Sequence, residues 1–270
     1  MATSYLRRPE GRIAYEPHGS EGPLVLLVHG MGDVSSAYRF TIPSLLGAGY
    51  RVVTMDLRGH GDSDDGFSAY DDVAAASDIL ALIDHLGGGP ALVVGNSMGA
   101  AAGVIAAADA PAKVAGLALL GPFVRNPRTN PMMALLQRLL LVKPWGPAAW
   151  VTFYGTLNAG RKPADLAEHQ QRIRESLRRG DHWRSFVRTT RTDHSPAEAR
   201  LDQVQAPTLV IMGEKDPDFP DQAAEARFAA DRLRGEVLMV PESGHYPMAD
   251  SPHVVNPALI AFAEKAFGRA

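Results

Sequence analysis

Leu92-Val93-Val94-Gly95-Asn96-Ser97-Met98-Gly99-Ala100-Ala101 joins an apolar run of strand character to a run of small residues with helical character. Between them lies Gly-x-Ser-x-Gly. Where that pattern sits in a strand–turn–helix context, the turn forces the serine into a strained backbone conformation and lifts its hydroxyl above the sheet edge. Only small residues tolerate the crowding, which accounts for Gly95 and Gly99. The helix that follows would direct its positive N-terminal end at whatever Ser97 attacks.

The 270 residues around this stretch suit one α/β domain with a smaller insertion, and 46% hydrophobic with 21% charged residues is ordinary for a globular chain. A formal net charge of −3 with both signs intermixed gives no electrostatic footprint for nucleic acid. The absence of cysteine excludes disulfides, thiol catalysis and thiolate-ligated metals. The start, Met1 to Pro9, lacks the apolar core of a signal peptide, so a cytoplasmic protein is expected. Gln137, Arg138, Lys143 and Pro144 interrupt the most apolar region, 132–154, and argue against a membrane span.

Outward from the centre, strand and helix patterns alternate. Tyr5–Arg8 and Gly11–Tyr15 read as a hairpin, and Leu24–His29 as a buried strand ending in His-Gly. A helix from Ser35/Ser36 to about Leu46 follows, then a strand at Arg51–Asp56 and a helix over Tyr70–Leu86 that stops at three glycines. Val114–Leu120 is the next strand. Alternation of this kind implies βαβ crossovers and a mainly parallel sheet. It stops at about Phe123 and resumes with strands at Thr208–Met212 and Glu236–Val240 and helices at Gln222–Leu233 and Val255–Phe267. The expected architecture is α/β: a mostly parallel sheet of about eight strands flanked by helices. The core would comprise 1–122 and 204–270, with a helical lid, 123–203, inserted after the sixth strand.

A serine nucleophile needs a base and a group that orients the base. Active sites of open α/β sheets gather beyond the carboxyl ends of the strands. There the chain places Gly213-Glu-Lys-Asp216-Pro-Asp218 after one strand and Gly244-His245-Tyr-Pro after the next. The order Ser97…Asp216…His245 is the Ser…Asp…His order of the α/β-hydrolase arrangement. Asp218 is an alternative orienter at this level. The loop His29-Gly30-Met31-Gly32 would supply one oxyanion-binding N–H, from Met31, and Met98 the other; the two glycines permit close approach of backbone to a ligand.

Taken together, His29-Gly-Met-Gly-Asp33, Asp56-Leu-Arg-Gly-His-Gly-Asp-Ser63, Gly95-Asn-Ser-Met-Gly99, Gly213-Glu-Lys-Asp216 and Gly244-His-Tyr-Pro247 make the chain resemble the α/β-hydrolase superfamily, in the neighbourhood of lidded serine esterases, perhydrolases and C–C hydrolases. The resemblance covers nearly everything outside 123–203. It implies Ser97 as nucleophile, His245 as base and Asp216, in preference to Asp218, as orienter. It also implies that His29 serves the fold and that Arg58–Ser63, with His60 and Asp62, is a structural loop. Serine at the elbow speaks against haloalkane dehalogenases and epoxide hydrolases of this fold, which carry aspartate there.

The expected reaction is hydrolysis of a carboxylic ester or lactone through an acyl-enzyme, without cofactor. C–C hydrolysis, acyl transfer or perhydrolysis by the same triad, and a non-catalytic receptor on the same fold, are the alternatives. No His/Asp/Glu cluster has metal-ligand spacing, so no metal is expected. The expected lid is rich in apolar residues, among them Met132, Met133, Leu135, Leu136, Leu139–Leu141, Trp145, Trp150, Phe153 and Tyr154. Some should pack on the core and some line an apolar pocket, with Gly30, Trp145, Trp150, Phe153 and Tyr154 as candidate substrate contacts and Met31, Met98 and Met248 making the pocket adaptable. His169, His182 and His194 are expected at the surface or in polar contacts of that segment. The expected partner is a hydrophobic small molecule; the pattern leaves the oligomeric state open.

Overall fold

A computed structural model of the chain describes residues 3–87, 89–127 and 139–269. Eight strands form one sheet in the order β1-β2-β4-β3-β5-β6-β7-β8. These are β1 (Ser4–Arg8), β2 (Gly11–His18), β3 (Leu24–Val28), β4 (Arg51–Met55), β5 (Ala91–Asn96), β6 (Val114–Leu120), β7 (Thr208–Gly213) and β8 (Glu236–Val240). β1 and β2 form the antiparallel hairpin and β2 lies antiparallel to β4; every later pairing is parallel.

The central strands are apolar on both faces, and their two-residue period divides the core. Leu26, Val28, Val93, Leu117 and Leu119 face one cluster, while Val25, Leu27, Leu92, Val94, Ala118 and Leu120 face the other. On the first face lie α2 (Asp72–His85), α3 (Met98–Asp109) and α8 (Gln222–Leu233); on the second lie α1 (Ile42–Gly47) and α10 (Pro252–Ala266). Asp71 and Asp221 cap α2 and α8 by accepting the Ala74 and Ala224 N–H groups, which satisfies donors that a helix start leaves unpaired.

Two expected helices differ in extent. The one drawn from Ser35 to Leu46 is a 3-10 turn, Ser35–Tyr38, followed by α1, which carries Pro43 in its first turn, where a missing N–H costs nothing. The last helix begins at Pro252 rather than Val255, after a short α9 (Pro247–Asp250).

Between β6 and β7 lie α4 (Gly146–Leu157), α5 (Leu166–Arg178), α6 (His182–Thr189) and the single turn α7 (Ser195–Glu198). Trp150, Val151, Tyr154, Ile173, Leu177, Trp183 and Phe186 from this segment join the second cluster, so it is packed onto the sheet domain and not detached from it. Met132, Met133, Leu135 and Leu136 lie outside the described residues. Among the described residues, no helix is long and apolar enough to cross a membrane.

Candidate active site

Ser97 stands between β5 and α3 with φ 55° and ψ −118°, a left-handed conformation that a residue with a side chain rarely adopts. Crowding explains both flanking glycines. A Cβ on Gly95 would lie 2.3 Å from the Gly99 carbonyl oxygen, and one on Gly99 2.5 Å from that of Val28. The turn is held from β6, where the Leu120 carbonyl accepts the Ser97 N–H at 2.9 Å. Asn96 donates through Nδ2 to the same carbonyl at 3.0 Å and to the His245 carbonyl at 3.1 Å. One side chain thus joins the elbow, the end of β6 and the histidine loop.

His245, in the loop between β8 and α9, is 2% exposed, and its Nδ1 lies 2.7 Å from Asp216 Oδ2 in the loop after β7. Asp218 is further, with Oδ2 at 3.6 Å from the same nitrogen, and its own N–H donates to Asp216 Oδ1 at 3.0 Å. Of the two acids that the sequence left open, Asp216 is the fully buried one and makes the hydrogen bond. Burial disfavours the charged imidazole, but the charge and hydrogen bond of Asp216, with Asp218 behind, outweigh it and pull the His245 pKa up to about 9. Burial raises the Asp218 carboxyl, His245 opposes that, and Asp216 adds to it. Asp216, Asp218 and His245 also form a set of three metal-capable groups whose ligand atoms lie within 4.8 Å of one another. Neither His245 Nε2 nor Ser97 Oγ is hydrogen-bonded among the described residues.

The glycine loop after β3 presses against Ser97. A Cβ on Gly30 would fall 2.7 Å from Ser97 Cβ, so Met31 begins where backbone and serine are in contact. The Met31 and Met98 N–H groups have no partner among the described residues, whereas the Gly32 N–H donates to His60 Nε2 at 3.0 Å. His29 also holds backbone: its Nδ1 lies 2.7 Å from the Gly30 carbonyl and its Nε2 accepts the Leu57 N–H at 3.1 Å. Gly121, at the end of β6, has φ +49°, and a Cβ there would lie 3.0 Å from His245 Nδ1. This glycine leaves room for the imidazole, a role that its sequence context, Gly121-Pro-Phe, does not announce.

The other predicted contacts divide. Trp150 is buried and donates through Nε1 to the Gly32 carbonyl at 2.9 Å; Tyr154 is buried and donates to Asp33 Oδ2 at 3.0 Å. Both grip the glycine loop. Trp145 and Phe153 are 54% and 47% exposed, and Trp145 donates to the Leu139 carbonyl. Met98 is buried in the first cluster, Met248 in the second, and Met31 touches both.

Two of the three segment histidines make polar contacts, and of the three only His194 is half-buried, the others being buried. His169 is buried with Nε2 2.7 Å from Asp33 Oδ1, His182 is buried, and His194 pairs through Nδ1 with buried Asp72 at 2.7 Å. Sequence reasoning also missed Phe123 and Phe219. Their rings lie 4.8 Å apart, tilted by 36°, and stand 5.8 Å and 6.5 Å from the His245 ring, an apolar wall beside the imidazole.

Known proteins agree with this architecture. The chain is 29% identical over 93% of its length to the dihydrolipoyllysine-residue acetyltransferase component of the acetoin cleaving system of Pseudomonas putida, of which it spans 66%. It is 26% identical over 95% of its length to a 2-hydroxy-6-oxononadienedioate/2-hydroxy-6-oxononatrienedioate hydrolase of Burkholderia vietnamiensis, covering 92% of that protein. The crystal structure of bromoperoxidase from Bacillus anthracis superposes with a TM-score of 0.85 over 97% of this chain and 100% of that one at 19% identity, which speaks for the fold alone. The family model for the alpha/beta hydrolase family matches residues 25–258, and the chain belongs to that family.

Proposed function

We propose that this member of the alpha/beta hydrolase family cleaves a carboxylic ester or lactone of a hydrophobic small molecule through an acyl-enzyme on Ser97. The observation that carries the reading is the convergence of four strand ends, those of β3, β5, β7 and β8. A strained serine sits after β5, an aspartate-held imidazole comes from the loops after β7 and β8, and a glycine loop with an unengaged N–H touches the serine.

In this reading Ser97 Oγ attacks the carbonyl carbon while its proton passes to His245 Nε2. Asp216 accepts the Nδ1–H bond, which fixes the tautomer and favours the imidazolium that forms. The carbonyl electron pair moves onto oxygen, and the Met31 and Met98 N–H groups stabilise that oxyanion; one such donor is worth about 2.7–4 kcal/mol in the transition state. His245 then protonates the departing alcohol. Water, deprotonated by the same imidazole, releases the acid and restores Ser97.

Residues 123–203 serve as the lid over a core of 1–122 and 204–270. Supporting this are the contacts that α4 makes with the glycine loop and the burial of Ser97, which is only 8% exposed. The Phe123–Phe219 wall and the chargeless sequence of α4 favour an apolar substrate over a sugar or phosphate ester.

Ser97→Ala should abolish p-nitrophenyl ester turnover and fluorophosphonate labelling while the far-UV circular dichroism stays unchanged. Undiminished turnover would remove Ser97 from the mechanism. A panel of esters, lactones and vinylogous diketones of graded acyl size distinguishes ester from C–C cleavage.

A further inference from the structure

The glycine loop is held almost atom by atom, and half of its anchors come from the proposed lid. On the core side, His60 Nε2 accepts the Gly32 N–H, the Gly30 carbonyl accepts the Asp33 N–H at 3.3 Å, and Asp56 Oδ1 accepts the Ser35 N–H at 2.8 Å. On the lid side, α4 contributes the Trp150 bond to the Gly32 carbonyl and the Tyr154 bond to Asp33 Oδ2. From α5, His169 reaches Asp33 Oδ1 through Nε2 and Ser36 Oγ, 3.2 Å away, through Nδ1. Asp33 completes the knot by accepting the Val34 N–H at 2.8 Å.

Asp33 and His169 are 1% and 2% exposed. Burial raises the Asp33 carboxyl, but the charge and hydrogen bond of His169 outweigh it and hold the carboxyl below its usual range. A buried ionised carboxylate is costly unless every lone pair is used, and this one has three donors. The ring of Tyr154 also stacks on Tyr246, the residue after His245, with centroids 4.5 Å apart. In the run from Gly30 to Asp33, the Gly32 N–H and carbonyl, the Asp33 N–H and the Asp33 carboxylate are all engaged, and the Met31 N–H beside Ser97 is not.

We propose that Asp33, clamped by His169 and Tyr154, is a positioning residue that aims the Met31 N–H at the reacting oxygen, so that lid seating sets the strength of the oxyanion hole. The proposal rests on the serine-hydrolase reading above. A flexible loop would bind substrate as well but would have to pay for ordering during reaction, whereas a preorganised donor does not. The clamp therefore acts on kcat and leaves KM nearly alone.

The test uses the full chain carrying His169→Gln, His169→Ala or Tyr154→Phe, with active sites counted by fluorophosphonate titration. The probes are a p-nitrophenyl ester and an alkyl trifluoromethyl ketone. In the inhibitor complex Ser97 Oγ bonds the ketone carbon, its proton goes to His245, and the carbonyl pair becomes an oxyanion in the hole. Expected for His169→Ala is a 10- to 100-fold loss of kcat per titrated site, KM within about twofold, and a parallel loss of ketone affinity. His169→Gln, which keeps an N–H donor, should recover part of both, and Tyr154→Phe should lose about 3- to 10-fold.

A merely structural clamp would lower the titrated fraction and the melting temperature but leave kcat per site and ketone affinity intact; that result overturns the proposal. So does a loss of kcat without loss of ketone affinity. If the alanine variant does not fold, Tyr154→Phe decides, because it removes one hydrogen bond and keeps the stacked ring. Absent labelling and turnover in the unmutated protein would instead sink the serine-hydrolase reading itself.

Discussion

Acidification should expose His60. The side chain is 1% exposed, its Nδ1 lies 2.9 Å from the Arg58 carbonyl, and its Nε2 faces the Gly32 N–H. An amide N–H can only donate, so Nε2 must be the unprotonated nitrogen and Nδ1–H the donor. A second proton would set two donors against each other in a buried site near the His29 ring, 5.5 Å away. Burial, with repulsion from His29 and His182, accordingly lowers the His60 pKa to about 3, against the opposing pull of the Arg58 carbonyl and Asp33.

The folded value is depressed, so its contribution to stability is intact above the unfolded value of 6.5 and is lost as pH falls toward about 3. Each pH unit in that window removes about 1.4 kcal/mol, so the loss reaches about 2 kcal/mol by pH 5. Urea unfolding followed by tryptophan fluorescence, at pH 7 and pH 5, on the unmutated protein and on His60→Gln, measures it. The amide has no proton to take up, and the other titrating groups cancel between the two proteins. The stability gap between them should therefore shift by about 2 kcal/mol in favour of the variant on acidification. A gap equal at both pH values would refute the assigned tautomer and its burial.

Two further outcomes follow from the site geometry. Gly30→Ala would place a methyl 2.7 Å from Ser97 Cβ, well inside the roughly 3.5–4.0 Å optimum for carbon pairs. Because the elbow is fixed to Leu120, the loop must retreat, and a displacement near 1 Å should lower kcat about 100-fold in ester hydrolysis with the fold preserved by circular dichroism. Asp216 raises the His245 pKa, and the base must be neutral to accept the serine proton, so kcat/KM should rise with pH along a limb above that of free imidazole. Asp216→Asn should move that limb to lower pH and reduce kcat by about 10³–10⁴, while Asp218→Asn should move it less and leave kcat within about tenfold; equal effects of the two would remove the distinction between them.

The fold and the elbow were legible in the residues because local rules dictated them. Continuous apolar runs such as Leu24–Val28 cannot leave either face in water, and Gly95 and Gly99 have no other reason to flank a serine between a strand and a helix. Their alternation with helical patterns set the parallel sheet, and the loops after two of the strands offered His245 and, as its partner, Asp216 or Asp218. Local patterns could not settle contacts between segments distant in the chain. Asp216 and Asp218 are equivalent by spacing and differ only in which carboxylate the fold brings to 2.7 Å of Nδ1. By pattern alone, Trp150 and Tyr154 could pack on the core or face a substrate, and His169 could lie at the surface or in a polar contact.

Their partners, Gly32 and Asp33, lie more than a hundred positions earlier in the chain, and only tertiary packing joins them into the clamp on the glycine loop. Secondary structure and the strained turn at Ser97 follow from neighbours along the chain, so the sequence determined them. The orientation of His245 and the hold on the glycine loop depend on pairing buried polar groups across the sheet and the helices above it, and the three-dimensional structure alone decided those pairings.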